Sequence, residues 1–332
     1  MSRRLSALEL VDVTLDDGSF VRWDTEPVTV VADEVYAAEL DRARERSGLD
    51  EAVITGEGMI RGRRVALIAC EFAFLQMVKI SAAVAAHKAA GLNYLVYLRN
   101  PTTGGVLVSW GSLGHVTVAE PGALVGFLGP RVYEALYSET FPPGVQVSEN
   151  LFAHGLVDAV LPPEDLAAIT DRALNVLLSR REGLPEATEP PREELADAPA
   201  WESITRSRRD DRPGIRRLLR YAATDIVPLG GTGEGETDPG LMLVLARFGG
   251  APCVLLGQDR RGQTLDRPMG PAALREARRG IRLARELRLP LVTVIDSPAQ
   301  RCRRRLRRAV WRVRSPAVSP SWSPLRHRPL RS

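Results

Sequence analysis

Cysteine is scarce in this sequence, with only Cys70, Cys253 and Cys302 among 332 residues. Because these cysteines are isolated and odd in number, a CxxC pair, a zinc ribbon and a disulfide framework are excluded. No stretch of about 18 apolar residues occurs, so we expect no transmembrane helix. The N-terminus shows no apolar signal-peptide core before its first acids, and we therefore expect a cytoplasmic protein without a membrane partner.

Lysine and C-terminal acids are also scarce, and this divides the chain by charge. Only Lys79 and Lys88 are lysines among the 45 basic residues, and all 41 acids lie at or before Asp296. Residues 299–332 hold 11 arginines and no acid, which leaves 34 bases and 41 acids, a net charge of −7, in residues 1–298. The formal charge of +4 for the whole chain therefore gives no reason to expect a nucleic-acid partner.

Composition and hydrophobic pattern divide the chain into domains. Residues 181–200 are charged and proline-rich, which is typical of a linker. Apolar strands alternate with helical segments on both sides of it, and this order indicates a layered α/β fold. We predict a first domain at 1–180, a second domain at 201–298 and a disordered Arg/Pro/Ser-rich tail at 299–332.

The clearest predicted elements flank the linker on both sides. In the first domain they are the strands Tyr94–Leu98 and Val116–Ala119. In the second they are the strands Leu241–Phe248 and Pro252–Gly257 and the helix Gly270–Leu287. Each is a continuous apolar or amphipathic run bounded by glycine, proline or polar residues.

Two consecutive glycines, Gly104 and Gly105, follow the strand Tyr94–Leu98 at the start of a predicted helix. Glycines at such a turn let the backbone approach a ligand, and the N–H groups at a helix start carry partial positive charge. Such donors suit an oxyanion hole, where they stabilise charge that develops on a carbonyl oxygen. A tight turn that simply needs glycine is the alternative, and the dipeptide alone favours it.

The histidines give no support for a catalytic triad or a resident metal. None of the four lies in a Ser/His/Asp or metal-ligand arrangement. We expect His115 and His154 to be structural, and His87 to lie in the core or on the surface of a helix. The glycine-rich run 230–235 lacks the Lys-Ser/Thr ending of a phosphate-binding loop, so we predict a surface turn there.

Motifs on both sides of the two glycines carry a family resemblance. In chain order they are Val53–Phe74, Pro101–Val106, Ala119–Phe127, Gly129–Val132 and Gln146–Val160. As an ordered whole they resemble the carboxyltransferase β subunit of bacterial acetyl-CoA carboxylase. Ala200–Glu202 and Val292–Pro298 are similar to the α subunit. Over residues 12–298 the chain therefore resembles the fused β/α form of the actinobacterial type.

This resemblance implies a crotonase-like α/β fold of repeated ββα units in two halves. The reaction that it implies moves a carboxyl group from carboxybiotin on a carrier protein to acetyl-CoA. The product is malonyl-CoA, which feeds fatty-acid biosynthesis. The implied partners are a biotin carboxyl carrier protein and a biotin carboxylase, in a homo- or hetero-oligomer, and no metal or zinc ribbon is expected.

The resemblance also implies roles for residues around the glycine turn. It places an oxyanion hole at the backbone N–H groups of Gly104 and Gly105. Because the enolate and the biotin ureido group both form oxyanions, one set of donors is expected in each half. The resemblance assigns substrate binding to Thr102, Thr103, Val106, Gly129 and Arg131.

Three features depart from the family pattern. Phe74 runs through Leu75 directly into Gln76, so a segment of roughly 30 residues or more, the size of a βαβ unit, is missing there. The family's loop in that segment is expected to help build the CoA site. The glycine-rich loop expected after Pro298 for the second oxyanion hole is also missing. Residues 299–332 have no counterpart, and a shifted reading frame in a GC-rich gene explains their composition.

Other functions stay open beside the carboxyltransferase. One is a catalytically inactive remnant that pairs with intact acyl-CoA carboxylase subunits. Another is nucleic-acid binding by residues 299–332, for which 11 arginines predict strongly salt-dependent binding. That segment offers only Trp311 and Trp322 for stacking and no reader motif. A crotonase-type hydratase or isomerase is disfavoured, since no acidic pair lies near Gly104 and Gly105 in the sequence.

Overall fold

A computed structural model describes most of the chain, in two compact units. The described residues are 5–24, 42, 45, 53–70, 78–179, 199–207, 209, 211–264 and 268–296. Unit 1 takes its described residues from Met1–Ala90, Tyr94–Asn150 and Ala159–Arg172, and unit 2 takes its own from Gly91–Asn93, Leu151–Asp158 and Ala173–Ser332. The predicted tail at 299–332 and most of the predicted linker lie outside the described residues.

Unit 1 begins with a helix on an antiparallel sheet. The helix is α1 (Ala7–Thr14), and the strands β1 (Val21–Arg22), β2 (Val53–Ile60) and β3 (Arg63–Cys70) lie in the order β1-β2-β3. Arg61 and Gly62 turn the β2–β3 hairpin with φ angles of 48° and 75°, as a two-residue hairpin turn requires. The buried Val11 and Leu15 pack against Ile60, so α1 covers one face of this sheet.

The rest of unit 1 contains short parallel strands between helices. In chain order the elements are α2 (Val78–Ala89), β4 (Leu95–Leu98), β5 (Thr102–Thr103), a π-helix (Leu107–Gly111), β6 (Val116–Ala119), β7 (Val125–Gly126), α3 (Pro130–Tyr137), α4 (Ser148–Ala153), β8 (Ala159–Val160), a 3-10 turn (Pro163–Asp165) and α5 (Leu166–Leu177). The helices α4 and α5 each continue into unit 2.

Two parallel sheets organise this part of unit 1. One has the order β4-β6-β8, and the other pairs β5 with β7. All four residues of the central strand β6 are buried, as expected for a parallel strand covered on both faces. The predicted strands at Tyr94–Leu98 and Val116–Ala119 are therefore confirmed.

Unit 2 is a four-stranded mixed sheet between helices. Its elements are α6 (Ala200–Ser207), α7 (Ile215–Ala222), β9 (Ala223–Leu229), β10 (Leu241–Phe248), β11 (Ala251–Gln258), α8 (Pro271–Glu286) and β12 (Leu291–Val294). The strand order is β12-β11-β10-β9, with β11 and β12 parallel and the other pairs antiparallel. The predicted strands at Leu241–Phe248 and Pro252–Gly257 and the helix at Gly270–Leu287 are confirmed.

Helices cover both faces of the unit 2 sheet. The buried Ile215 of α7 packs against Val244 of β10. Leu243, the preceding residue, faces α8, where a Cβ on Gly280 would come within 2.9 Å of its side chain. Because neighbouring strand residues point to opposite faces, α7 and α8 lie on opposite sides. Among the described residues, no helix combines the length and apolar character needed to cross a bilayer.

A buried ion pair anchors the glycine-rich run 230–235 to α8. Arg279 donates to the Asp158 carboxylate at 2.8 Å, and both side chains are almost fully buried. Arg279 also donates to the carbonyls of Gly230 and Gly231 at 2.9 and 3.1 Å. Thr232 is 3% exposed, so only the tip of the predicted surface turn reaches solvent.

Glu276 lies one turn before Arg279 on α8 and is 3% exposed. Burial raises the pKa of Glu276 to about 8, the charge of Arg279 opposes this rise, and the charges of Asp238 and Asp158 add to it. Within the described part of the chain, its Oε2 has no hydrogen-bond partner. We therefore expect the carboxyl group to be protonated at neutral pH.

We predict that Glu276 makes the stability of the native chain depend on pH. Because its pKa is raised on folding from 4.5 to about 8, its stabilising effect is complete below the unfolded value and is lost as the pH rises to about 8. Between these values the free energy of unfolding falls by up to about 1.4 kcal/mol per pH unit. Glu276→Gln removes this dependence, which urea unfolding from pH 5 to 9 measures.

The exposed Glu234→Gln serves as the control and is expected to follow the native chain at every pH. A constant difference between the native chain and Glu276→Gln across this range would contradict the prediction.

We also predict that Arg279→Met destabilises the fold by about 3–5 kcal/mol, because it removes the buried guanidinium that balances the charge of the Asp158 carboxylate. Urea unfolding measures the loss. Arg278→Met, on the exposed face of the same helix, is the matched control and is expected to change stability by less than about 0.5 kcal/mol. Equal losses in the two variants would show that the buried pair is not stabilising.

Candidate functional site

The predicted glycine turn directly follows β5 in unit 1. Thr102 and Thr103 pair in parallel with Val125 and Gly126 of β7. Gly104 then adopts a φ of +64°, a conformation that side chains with a Cβ rarely adopt. The nearest atom to a Cβ at this position would lie 4.0 Å away. Backbone conformation, and not space, therefore requires glycine here.

The N–H of Gly104 is used inside the protein. It donates to the carbonyls of Gly126 at 3.2 Å and Phe127 at 2.9 Å. These bonds continue the β5–β7 ladder by one residue and hold the turn against β7. The structure thus gives Gly104 a part in shaping the turn, while the predicted role of its N–H as an oxyanion donor stays a prediction.

Gly105 lies at the exposed side of the same turn. Gly105 and Val106 are helical and lead directly into the π-helix Leu107–Gly111. The first N–H groups of a helical segment have no acceptor within that segment, and short π-helices are frequent at functional sites. Of the two predicted donors, Gly105 is the exposed residue, whereas the N–H of Gly104 is bonded inside the protein.

Thr102 stabilises the segment before the turn through two hydrogen bonds. Its side chain is 7% exposed, and its hydroxyl donates to the carbonyl of Arg99 at 2.7 Å. Its N–H donates to the carbonyl of Leu124 at 2.8 Å. Thr103 and Val106 are half-buried. Substrate binding by these three residues stays a prediction, and the contacts of Thr102 show a structural role.

Gly129 and Arg131 lie on the segment that follows β7. Gly129 caps α3 through its carbonyl, which accepts from the N–H groups of Val132 at 3.0 Å and Tyr133 at 3.1 Å. Its φ of −64° is open to any residue, and no atom lies within 4 Å of a Cβ placed there. Arg131 is exposed in the first turn of α3. Its side chain is therefore accessible, as the predicted contact with substrate requires.

Gln146 was missed as a site residue in the sequence, although it begins one of the family motifs. Its carbonyl accepts from the N–H of Val125 at 2.9 Å, and its side-chain amide lies directly over Gly126. It also lines a cleft of about 270 Å³, which is further lined by Leu124, Pro130, Glu134, Phe141 and Val147. Its position against β7 depends on strand pairing, which no local pattern shows.

Two reactive side chains outside the turn, those of His115 and Cys253, are buried. His115 is 1% exposed, and its Nδ1 accepts from the N–H of Tyr94 at 3.0 Å, in keeping with its predicted structural role. Burial raises the pKa of the Cys253 thiol to about 11, which makes it a poor nucleophile. Across the described ranges, no group of three or more His, Cys, Asp or Glu side chains could hold a metal ion.

Comparison with known proteins places this turn in a family. Residues 72–299 match the carboxyl transferase domain family. The probable biotin-dependent acyl-coenzyme A carboxylase beta3 subunits of Mycobacterium bovis and Mycobacterium tuberculosis are 50% identical, over 89% of this chain and 68% of theirs. The acetyl-coenzyme A carboxylase carboxyl transferase subunits beta/alpha of Frankia alni are 32% identical, over 86% of this chain and 56% of theirs.

Two solved structures share the fold. The transcarboxylase 12S hexamer with methylmalonyl-coenzyme A has a TM-score of 0.62 at 15% identity, over 92% of this chain and 66% of that chain. A single-chain, multi-domain long-chain acyl-CoA carboxylase has a TM-score of 0.64 at 16% identity, over 93% and 35%. The predicted crotonase-like α/β fold is confirmed, and the chain spans about two thirds or less of the length of these two structures.

The alignment with the mycobacterial relatives extends over 339 positions, which exceeds the 332 residues of this chain. The matched share of 89% corresponds to about 295 residues, so about 44 positions have no counterpart here. The segment predicted to be missing after Phe74 is of comparable size. Its place in the chain stays a prediction, and residues 71–77 lie outside the described residues. Because the family match takes in more than half of the chain, this protein belongs to the carboxyl transferase domain family of biotin-dependent acyl-CoA carboxylases.

Proposed function

We propose that this chain transfers a carboxyl group from biotin on a carrier protein to acetyl-CoA, giving malonyl-CoA. The observation that carries this proposal is the turn at Gly104 and Gly105, which lies inside the matched family segment. There the Gly104 N–H is bonded to β7 while Gly105 is exposed. The choice of acetyl-CoA is supported by the sequence motifs and by the name of the Frankia alni relative.

The chemistry at this turn concerns the acceptor thioester. When its α carbon loses a proton, negative charge moves to the thioester oxygen. The new carbon–carbon bond would then form from that α carbon to the carboxyl carbon as the bond from this carbon to the biotin nitrogen breaks, and that nitrogen would take up the proton. In this proposal the N–H groups of Gly105 and Val106 donate to the thioester oxygen. Backbone donors held ready for developing charge lower the barrier because they need no rearrangement during the reaction.

Biotin, when bound, supplies the carboxyl group at this site. An exposed glycine at the start of a helical segment, as at Gly105, suits an anionic oxygen of the acceptor or donor. We further propose a biotin carboxyl carrier protein and a biotin carboxylase as partners, in an oligomer in the cytoplasm. The β-like part is assigned to residues 1–180 and the α-like part to residues 201–298.

We expect the purified chain, with carrier protein, biotin carboxylase, ATP and bicarbonate, to carboxylate acetyl-CoA in preference to propionyl-CoA and longer acyl-CoA substrates. Radiolabelled bicarbonate incorporation measures each rate. A preference for a longer acyl group would correct the substrate but keep the reaction. Transfer to none of them, with the chain still co-purifying with a carboxylase complex, would favour the inactive remnant.

Gly104→Val is expected to lower kcat by about 100- to 1000-fold, the loss typical of one misplaced oxyanion donor. The cause is the φ of +64°, which a β-branched residue avoids, so that the turn and the donors beyond it shift. Gly214→Ala is the matched control, since Gly214 has a φ of −102° and a Cβ there meets its nearest atom at 3.6 Å. Activity retained in Gly104→Val, with a native circular dichroism spectrum, would contradict the proposed site.

A further inference from the structure

Gln146 contacts β7 on the side away from the glycine turn. Its carbonyl accepts from the N–H of Val125 at 2.9 Å. Its amide occupies the space where a Cβ on Gly126 would lie, with Nε2 at 2.5 Å and Oε1 at 2.7 Å from that position. The buried position 126 therefore requires glycine, since the Gln146 side chain fills the space that a Cβ would occupy.

The opposite side of β7 holds the turn. The carbonyls of Gly126 and Phe127 accept the N–H of Gly104, and Thr103 pairs with Gly126. A displacement of Gly126 therefore moves the acceptors of Gly104, and with them the backbone of Gly105. Gly126 is thus the strand residue that lies between the Gln146 side chain and the turn.

Packing alone does not explain an amide at position 146. Its Oε1 is buried, and the described residues offer it no hydrogen-bond donor. Burying an amide oxygen without a donor costs stability, and an apolar side chain of similar volume avoids that cost. The planar amide of Gln146 does, however, pack closely against the backbone of Gly126, which has no Cβ in the way.

We propose that Gln146 is a positioning residue for carboxyl transfer. Through its contacts with Gly126 and β7 it sets the orientation of the Gly105 N–H. This inference rests on the proposed function. Displacements of about 1 Å at catalytic groups cost about 100-fold in rate, so a residue one strand away from the donors is expected to act on kcat. It is not expected to act on the binding of acyl-CoA.

The test is a size-complementation cycle in the complete assembly with carrier protein and biotin carboxylase. Gly126→Ala places a Cβ against the Gln146 amide and is expected to lower kcat about 100-fold. Gln146→Ala removes the amide and is expected to lower kcat about tenfold. The double variant is expected to match Gln146→Ala, because the new Cβ then enters vacated space. KM for acyl-CoA is expected to change less than twofold in all three.

Losses that simply add in the double variant would overturn the proposal, as would a rise in KM with kcat unchanged, which would mark Gln146 as a binding residue. Gly214→Ala is the control for a glycine-to-alanine change with room for the Cβ. If Gly126→Ala alone does not fold, recovery of folding and of kcat in the double variant supports the same coupling.

A second measurement separates this inference from the proposed function. Amide hydrogen exchange of residues 102–108 is expected to rise in Gly126→Ala and to return towards the native rate in the double variant. This readout does not depend on activity. A native chain that transfers no carboxyl group to any acyl-CoA would reject the proposed function, whereas unchanged exchange in Gly126→Ala would reject the link from Gln146 to the turn.

Discussion

The hydrogen bonds from the Gly104 N–H to the carbonyls of Gly126 and Phe127 are the interaction on which the candidate site depends. They oblige the chain to leave β5 with a positive φ at Gly104, and this bend exposes Gly105. Gly104 therefore supplies the conformation of the turn, and its own N–H is already bonded within the protein. For this reason our proposal assigns the donor role to Gly105 and not to Gly104.

In unit 2 a glycine-rich turn is held by a charged side chain, whereas in unit 1 the turn is held by backbone hydrogen bonds. Arg279 joins the Asp158 carboxylate to the carbonyls of Gly230 and Gly231, so one guanidinium donates to three acceptor groups. For the neighbouring Glu276, burial raises the pKa by more than the charge of Arg279 and the hydrogen bond from the Asp238 backbone lower it, so the neutral carboxyl group is favoured. Two acids that are both buried in this unit therefore differ in the groups that surround them.

The sequence was a good guide wherever the signal is local. The strand Leu241–Phe248 is apolar except for Arg247, because both sheet faces are covered. The pair Gly104-Gly105 marks a turn by composition alone. Long-range pairing was beyond reach. Asp158 and Arg279 are 121 residues apart, and the acceptors of Gly104 follow from the register of β5 on β7. The contacts of Gln146 with β7 also follow from strand pairing. The family motif that begins at Gln146 therefore gave no indication of a role for this residue.

The contacts that shape the glycine turn bear on the shortfall against the mycobacterial relatives. The acceptors described for β5 and the turn come from Arg99, Leu124, Gly126 and Phe127. Gln146, which contacts Gly126, lies after Phe74 in the chain as they do. The central strand β6 of the neighbouring sheet also keeps its four residues buried. The segment that we predict to be missing after Phe74 would therefore remove none of the described contacts that hold the turn. Its role in receiving the CoA substrate stays a prediction from the family resemblance, and the conformation of the glycine turn does not depend on it.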